Sequence, residues 1–422
     1  MKKITITGTK GKTTTTYVVS QVLQRLGNNV LRVDTAGHYV NGAQRSTLDD
    51  AKQIWGLVPT VAPGRYLWEF LADPALKKNG VAVMEAALGS SGLAGLGYRR
   101  HEVGVFLNVM EDHIGSSTRL QSRADIVKAK SFVFGRIKQD GYAVFNADDA
   151  LVVAALKELP PARDIRLVAC GLEFKHLDLK KHLRQGGVVV TTRQNEVVLI
   201  KGNQEQVLFD IKALPWTFNG TFEPSVYNLL HAAGAIYAYY EGRLPAKFRA
   251  VMEACRLDPE GGRLTILKAA NGARILVDYA HEKNSLVSIG ELARTLIGPK
   301  GKVIGLVRLA YDRTPELIRD TGRHIAGHFD AFVVYDKVDG HFVKTEIIKG
   351  RRFQKEAGKV SELLAAAIAE KNPNVQRIVR EDKAIEAAAT QAGPEDIVVV
   401  IANDDVKQSL RFVKQASKAE YV

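Results

Sequence analysis

A chain of 422 residues, 46% hydrophobic and 25% charged, has the make-up of a globular protein and is too long for one ordinary core, so two or three domains are expected. Its two cysteines, Cys170 and Cys255, stand far apart and in no metal-ligand spacing, which sets aside a disulfide framework and a zinc site. The net charge of +13 raises nucleic acid as a partner, but the basic residues are scattered and carry no recognised nucleic-acid motif; a field that gathers anionic substrates also accounts for the charge, and nucleic acid is not the expected partner.

Residues 4–16 read Ile-Thr-Ile-Thr-Gly-Thr-Lys-Gly-Lys-Thr-Thr-Thr-Thr, and a helix-like stretch runs from Tyr17 to Leu26. A β-branched run, a glycine loop and a helix form the context in which backbone N–H groups cradle phosphate. The candidate ATP loop is Gly8, Thr9, Lys10, Gly11, Lys12, Thr13 and Thr14. Lys12 would reach the β- and γ-phosphates and Thr13 would ligate Mg²⁺. The common nucleotide loop has a glycine where Ile6 stands here, so the loop is a shorter variant. Lys2 and Lys3 are not followed by a long apolar segment, and nowhere do 18 apolar residues run together. Neither a secretory signal nor a membrane span is read, and a cytoplasmic location is the default expectation.

Strand-like runs follow at Asn29–Asp34, Gly80–Met84, Val103–Asn108 and Tyr142–Asn146, alternating with amphipathic or Ala-rich stretches. That alternation predicts a mostly parallel α/β sheet. Glu85 ends one strand, where ligands bind in open α/β sheets; it reads as a metal ligand or as a solvated strand-end carboxylate. His113, after the strand ending at Asn108, reads as a metal or phosphate contact or as a structural histidine. Lys128 and Lys130 fall near the start of an amphipathic helix and, by spacing alone, are surface lysines. Asn146-Ala-Asp-Asp149 reads as a strand-end turn.

From Ile165 to Ile211 the pattern changes to short β-branched runs split by turns, which predicts a small antiparallel sheet appended to the first domain. A long helix is expected at about 225–241, carrying Asn228. After Pro259-Glu-Gly-Gly262 a second series begins. Its strands are read at 274–278, 302–309, 331–335, 375–379 and 396–402, and its helices near 285–296, 314–326, 359–370 and 383–392. The overall expectation is an α/β fold: a P-loop-type, mostly parallel central sheet over 1–257 with the antiparallel extension at about 165–215, then a C-terminal Rossmann-like α/β domain over 258–422. The second domain also carries Gly262-Arg263, Asp278-Tyr-Ala-His281 and Tyr311-Asp-Arg313; an Arg and an Asp from such a set suit phosphate and ribose hydroxyls, while taken singly each reads as a loop residue.

In this order, Gly-Thr-Lys-Gly-Lys-Thr at 8–13, Glu85, Asn108 to Asp112-His113, Ala129-Lys130, Asn146-Ala-Asp-Asp149, Asn228, Gly262-Arg263 and Asp278-Tyr-Ala-His281 resemble the Mur ligase family of ATP-dependent amide-bond-forming enzymes. The stretches Leu93–Tyr98, Val103–Asn108, Asp140–Asp149 and Asp312-Arg313 resemble most the C-terminal ligase half of cyanophycin synthetases. The resemblance implies ATP and two Mg²⁺ as cofactors. Lys12 and Thr13 serve the phosphates and the first Mg²⁺, and Glu85 and His113 serve the second. Lys130 matches a lysine carried as an N-carbamate beside the second metal, with Lys128 as the alternative register. Asn228 lies near adenine, Arg263 on phosphate and Asp278 on ribose. His281 and Arg313 are possible substrate contacts; Lys283 stands where the family often has proline.

The implied reaction activates a carboxylate as an acyl phosphate and joins it to an amino acid or other amine, releasing ADP and phosphate. The position of the loop predicts that no domain for a UDP-linked precursor and no ATP-grasp ligase precedes it. The expected partners are a small-molecule, peptide or polymer carboxylate and an amine, with no membrane; a homo-oligomer is compatible with the sequence. The basic stretch Lys349–Arg352 with Lys355 and Lys359 reads as a grip for an acidic substrate or as a solvated loop. Two other readings stand beside this one: a poly-γ-glutamate or folylpolyglutamate synthase-like ligase, and an ATP-binding subunit of a complex without ligase activity of its own.

Overall fold

The computed structural model describes residues 1–47, 50, 58–92, 95–111, 114, 119–311, 313–339, 347–348, 351–352 and 358–422. His113, Asp112, Asp312, Lys349 and Lys355 lie outside the described residues. The chain divides into two compact units, one of Met1–Met110 with Arg123–Leu257 and one of Glu111–Ser122 with Asp258–Val422.

The strands of the first unit are β1 Lys2–Thr7, β2 Asn29–Asp34, β3 Gly37–Val40, β4 Ala43–Thr47, β5 Gly80–Glu85, β6 His101–Phe106, β7 Ile137–Asn146, β8 Arg166–Cys170, β9 Val188–Arg193, β10 Glu196–Lys201 and β11 Gln204–Asp210. They form one 11-stranded sheet in the order β11-β10-β9-β8-β7-β6-β1-β5-β2-β3-β4. From β2 through β5, β1, β6, β7 and β8 to β9 every pairing is parallel. β10 and β11 close one end antiparallel, and β3 and β4 the other. The antiparallel stretch expected at about 165–215 is therefore not a separate appended sheet. β8 and β9 join the parallel core, and only β10 and β11 turn back, because the Arg-Gln-Asn and Gly-Asn turns are short enough for hairpins while the β8–β9 link carries the helix Leu179–Arg184. The β3–β4 hairpin on the opposite edge was not anticipated; its strands carry polar residues that weaken the alternation signal.

Two helices cover the sheet where it matters for the site. The first spans Lys12–Arg25, starting five residues before the apolar pattern because Thr15 and Thr16 are buried against the sheet; packing overrides the modest helix propensity of the threonine run. The second, Glu223–Tyr239, begins with Pro224 in its first turn and is buried along nearly its whole length, as expected of a helix apolar on every side. Both contribute to one core with Ile4, Ile6, Val81, Val83, Val103, Val105 and Val144.

The second unit carries β12 Thr265–Lys268, β13 Arg274–Asp278, β14 Val303–Val307, β15 Ala331–Val334, the two-residue pair β16 Ile347–Ile348 and β17 Arg351–Arg352, β18 Val375–Arg377, β19 Ile397–Ile401 and β20 Glu420–Tyr421. Its main sheet runs β18-β15-β14-β19-β13-β12-β20. The five strands from β18 to β13 are parallel, and β12 and β20 add an antiparallel edge. Helices Lys283–Ile297, Pro315–Ile325, Lys359–Ala369 and Glu381–Gln391 fall where the apolar periodicity places them, and a further helix, Val406–Ser417, follows β19.

Candidate active site

The loop between β1 and the first helix is shaped by close approach. Gly11 adopts φ 82° as the residue preceding Lys12, and a methyl group there would come within 2.0 Å of the Asn228 Oδ1. Only glycine accepts both conditions. Asn108, two residues past the end of β6, clamps the loop. Its Oδ1 accepts the N–H groups of Thr9 (3.1 Å) and Lys10 (2.9 Å), and its Nδ2 donates to the Lys10 carbonyl (3.2 Å). The Asn108 carbonyl accepts Thr9 N–H at 3.0 Å, and the Thr9 hydroxyl accepts Met110 N–H at 3.0 Å. Thr14 continues the first turn of the helix.

Three polar side chains of the loop and neighbouring strands then meet. Glu85, the last residue of β5 and only 2% exposed, accepts the Thr13 hydroxyl at 2.9 Å. Lys12 Nζ donates to the Thr9 carbonyl at 2.9 Å and stands 3.9 Å from Glu85 Oε1. Thr35, just past β2, donates to the same carboxylate at 3.3 Å. The solvated reading of Glu85 fails on its burial: a buried carboxylate needs partners, and these are hydroxyls and one ammonium. Thr13, Thr35 and Glu85 offer oxygen ligands of the kind a hard divalent cation takes, so the residues present fit Mg²⁺. Among the described residues no group of three or more His, Cys, Asp or Glu gathers at metal-binding range.

Lys128 and Lys130 lie in the last turn of the helix Arg123–Lys130, not near its start. The apolar residues that suggested a later helix belong to the separate short helix Phe132–Gly135. The two lysines differ in burial: Lys128 is exposed and Lys130 is 4% exposed, so Lys130 is not a surface lysine. Asn228, half-buried on the long helix, accepts the Thr15 hydroxyl at 3.4 Å. Its neighbour Tyr227 donates its hydroxyl to Asp148 at 2.8 Å. Asp148 also accepts the N–H groups of Leu172 (2.6 Å), Glu173 (3.2 Å) and Phe174. Burial alone would raise the Asp148 carboxyl; the backbone and tyrosine donors outweigh it and hold the group below its ordinary value. Asp149 caps the following helix through Leu151 and Val152 and accepts Val109 N–H at 2.7 Å, tying the Asn146–Asp149 turn to the residues after Asn108.

In the second unit, Arg263 and Asp278 are neighbours. The Arg263 guanidinium lies 4.6 Å from the Tyr279 ring centre, and Asp278 accepts Leu264 N–H at 3.0 Å. Burial pushes the Asp278 carboxyl up, against the opposing pull of Arg263 and backbone donors. His281 Nδ1 pairs with the Tyr279 carbonyl at 2.8 Å, and its ring stands edge-on to Tyr279. Lys283 holds Asp320 at 2.9 Å and Glu111 at 3.1 Å, contacts that a proline there would forfeit. Arg313 is buried.

Sequence reasoning gave no part to Thr35, no clamping role to Asn108 and no network to Asp148. The rule that ligands gather at the carboxyl ends of parallel strands would have pointed to Thr35 just past β2, as it pointed to Glu85 at the end of β5.

The Mur ligase middle domain matches residues 6–236, and the Mur ligase glutamate ligase domain matches residues 262–403. The chain belongs to the Mur ligase family. The chain is 28% identical to the cyanophycin synthetase of Nostoc sp. over 97% of its own length and 42% of the relative's. It is 22% identical to the UDP-N-acetylmuramoyl-L-alanyl-D-glutamate--2,6-diaminopimelate ligase of Bacteroides fragilis, over 95% of this chain and 72% of that one. Its fold superposes with a TM-score of 0.63, at 17% identity and over 97% and 88% of the two chains, on the bifunctional folylpolyglutamate synthase/dihydrofolate synthase of Yersinia pestis, solved with AMPPNP and a Mn ion. The chain thus spans less than half the length of the cyanophycin synthetases it matches. No helix among the described residues is long and apolar enough to cross a membrane.

Proposed function

We propose that this Mur ligase is an ATP-dependent carboxylate–amine ligase of cyanophycin-synthetase type. The observation that carries the reading is the convergence of Lys12, Thr13 and Glu85 beside a loop held open by Gly11 and clamped by Asn108. In the proposed reaction a substrate carboxylate attacks the γ-phosphate of ATP, giving ADP and an acyl phosphate. An amine then attacks the acyl carbon, and phosphate leaves.

The residues divide this work. The N–H groups of Thr9 and Lys10 are held by Asn108, so those at the start of the helix Lys12–Arg25 are the ones assigned to phosphate oxygens. Lys12, now on the Thr9 carbonyl, turns to the transferring phosphoryl group and offsets its charge. Thr13, Glu85 and, through the family resemblance, His113 and Lys130 would hold two Mg²⁺; bound there, the ions would neutralise charge on the phosphates. Lys130 is proposed to do so as a carbamate, and its burial supports choosing it over Lys128. Asn228 is assigned to adenine, Arg263 to phosphate and Asp278 to ribose; His281 and Arg313 are assigned to the second substrate. The first substrate is a side-chain carboxylate of a peptide or polymer and the second an amino acid, with the enzyme acting in the cytoplasm.

An ADP-release screen of carboxylates against amino acids, including aspartate- and glutamate-containing peptides, tests this. ADP formation that requires both substrates is expected, stimulated by bicarbonate. Absence of release with every pair, with or without bicarbonate, would sink the ligase reading.

A further inference from the structure

The second unit places two arginines on one aromatic ring. Arg263 lies 4.6 Å and Arg308 4.9 Å from the centre of Tyr279. The ring does not float: its hydroxyl donates to Asp404 Oδ1 at 2.5 Å. Asp404 in turn accepts Lys337 Nζ at 3.0 Å, while its neighbour Asn403 donates from Nδ2 to the Lys337 carbonyl at 2.8 Å. Arg308 is 1% exposed and is fixed by donating to the Ala402 carbonyl at 2.5 Å. The ends of β13, β14 and β19 and the residues after β15 thus meet at a single phenol.

We infer that Tyr279 is a positioning residue that holds Arg263 in the pose that meets nucleotide phosphate, and that Asp404 sets Tyr279. The inference rests on the assignment of Arg263 proposed above. The physics is direct. A guanidinium on a long side chain has many rotamers, and each one frozen by binding weakens binding. The negative face of a tyrosine ring restricts the guanidinium beforehand, and a phenol that donates to a carboxylate carries more electron density on that face. Arg308 cannot substitute for Arg263, because its burial and its bond to Ala402 keep it in place. Burial raises the Tyr279 hydroxyl, so it remains the donor and Asp404 the acceptor.

The test is calorimetry of Mg·AMPPNP binding to the full chain, which requires no second substrate. Tyr279→Leu is expected to weaken binding about five- to tenfold, of the order of one cation–π contact. Tyr279→Phe keeps the ring and is expected to recover most of that loss, and Asp404→Asn to weaken binding about two- to threefold. In an Arg263→Ala background all three changes should vanish, since they act through the same arm. A merely structural role would lower the bound stoichiometry and the melting temperature without moving the dissociation constant. If Tyr279→Leu fails to fold, Tyr279→Phe and Asp404→Asn in the two backgrounds carry the comparison. Unchanged affinity in the folded variants, or losses that persist without Arg263, would overturn the inference. Wild-type protein that does not bind Mg·AMPPNP at all would instead overturn the ATP site itself.

Discussion

Gly11→Ala isolates what the close approach of Asn228 contributes to the loop. Two terms act on this variant. An alanine at φ 82° adopts a left-handed conformation that costs about 1–2 kcal/mol. Its methyl would also lie 2.0 Å from Oδ1 at the far end of the half-buried Asn228 side chain, which must swing aside, and such overpacking costs up to about 1–3 kcal/mol more. Gly27 supplies the control. It has φ 91° and nothing within 4 Å of the position a methyl would take, so Gly27→Ala carries the conformational cost alone. Urea denaturation of the full chain should therefore show Gly11→Ala about 1–3 kcal/mol less stable than Gly27→Ala. In a unit of this size each kcal/mol amounts to about 2–4 °C in Tm. Mg·AMPPNP binding should separate the two further: Gly27→Ala leaves it unchanged, and Gly11→Ala weakens it by displacing Asn228 or the loop. Equal stability and equal nucleotide binding in the two variants would refute the close approach as the reason for glycine.

Lys12→Ala should abolish ADP release while lowering stability by about 1 kcal/mol, the order of one part-buried hydrogen bond to a carbonyl; retained turnover would remove Lys12 from the ATP site. Glu85→Gln keeps acceptor capacity for Thr13 and Thr35 but removes the charge, so it should fold normally and lose divalent-ion-dependent nucleotide affinity by tenfold or more in a Mn²⁺ titration; unaltered metal dependence would refute the ligand role. His101 and His231 are both lowered by burial to about 4. Their unfolded forms titrate near 6.5, so the unfolded state binds the extra protons and stability falls as pH drops from 6.5 towards 4. The slope approaches about 1.4 kcal/mol per pH unit for each histidine. Urea midpoints measured across that window in the wild type and in His101→Gln should show the mutant's slope reduced by about one proton; identical slopes would remove His101 from the acid response.

The regular elements were legible because burial writes itself into periodicity. The parallel strands from Gly80 and Tyr142 are nearly continuous apolar runs, as sheets covered on both faces require. The misreadings share a physical cause. The helix start at Lys12 hides among threonines because tertiary packing, not propensity, fixes it. The helix Arg123–Lys130 carries a weak apolar stripe, so its register against Phe132–Phe134 could not be read and Lys130 passed for a surface residue. Candidate site residues at strand ends, such as Glu85, announce themselves by position. Residues that act by touching another segment, such as Asn108 or Tyr279, do not, since their partners lie far away in sequence: Asp404 is 125 positions from Tyr279. The sequence resemblance named Asn228 without saying that it presses on Gly11.

Asn228 comes to the loop from far along the chain: its bond to the Thr15 hydroxyl spans 213 positions. For the proposed nucleotide loop, such a separation predicts late completion in folding. A chain folding progressively can pair β1 with β5 and β6 and grow the first helix, but the loop lacks its final wall until the helix Glu223–Tyr239 docks. Long-range closure of this kind is slow, because the loop entropy is lost before the contacts form. Partly folded chains would accordingly be unable to bind nucleotide, and nucleotide added during refolding should act only on the last step, as a trap for the completed unit rather than as a nucleus for it.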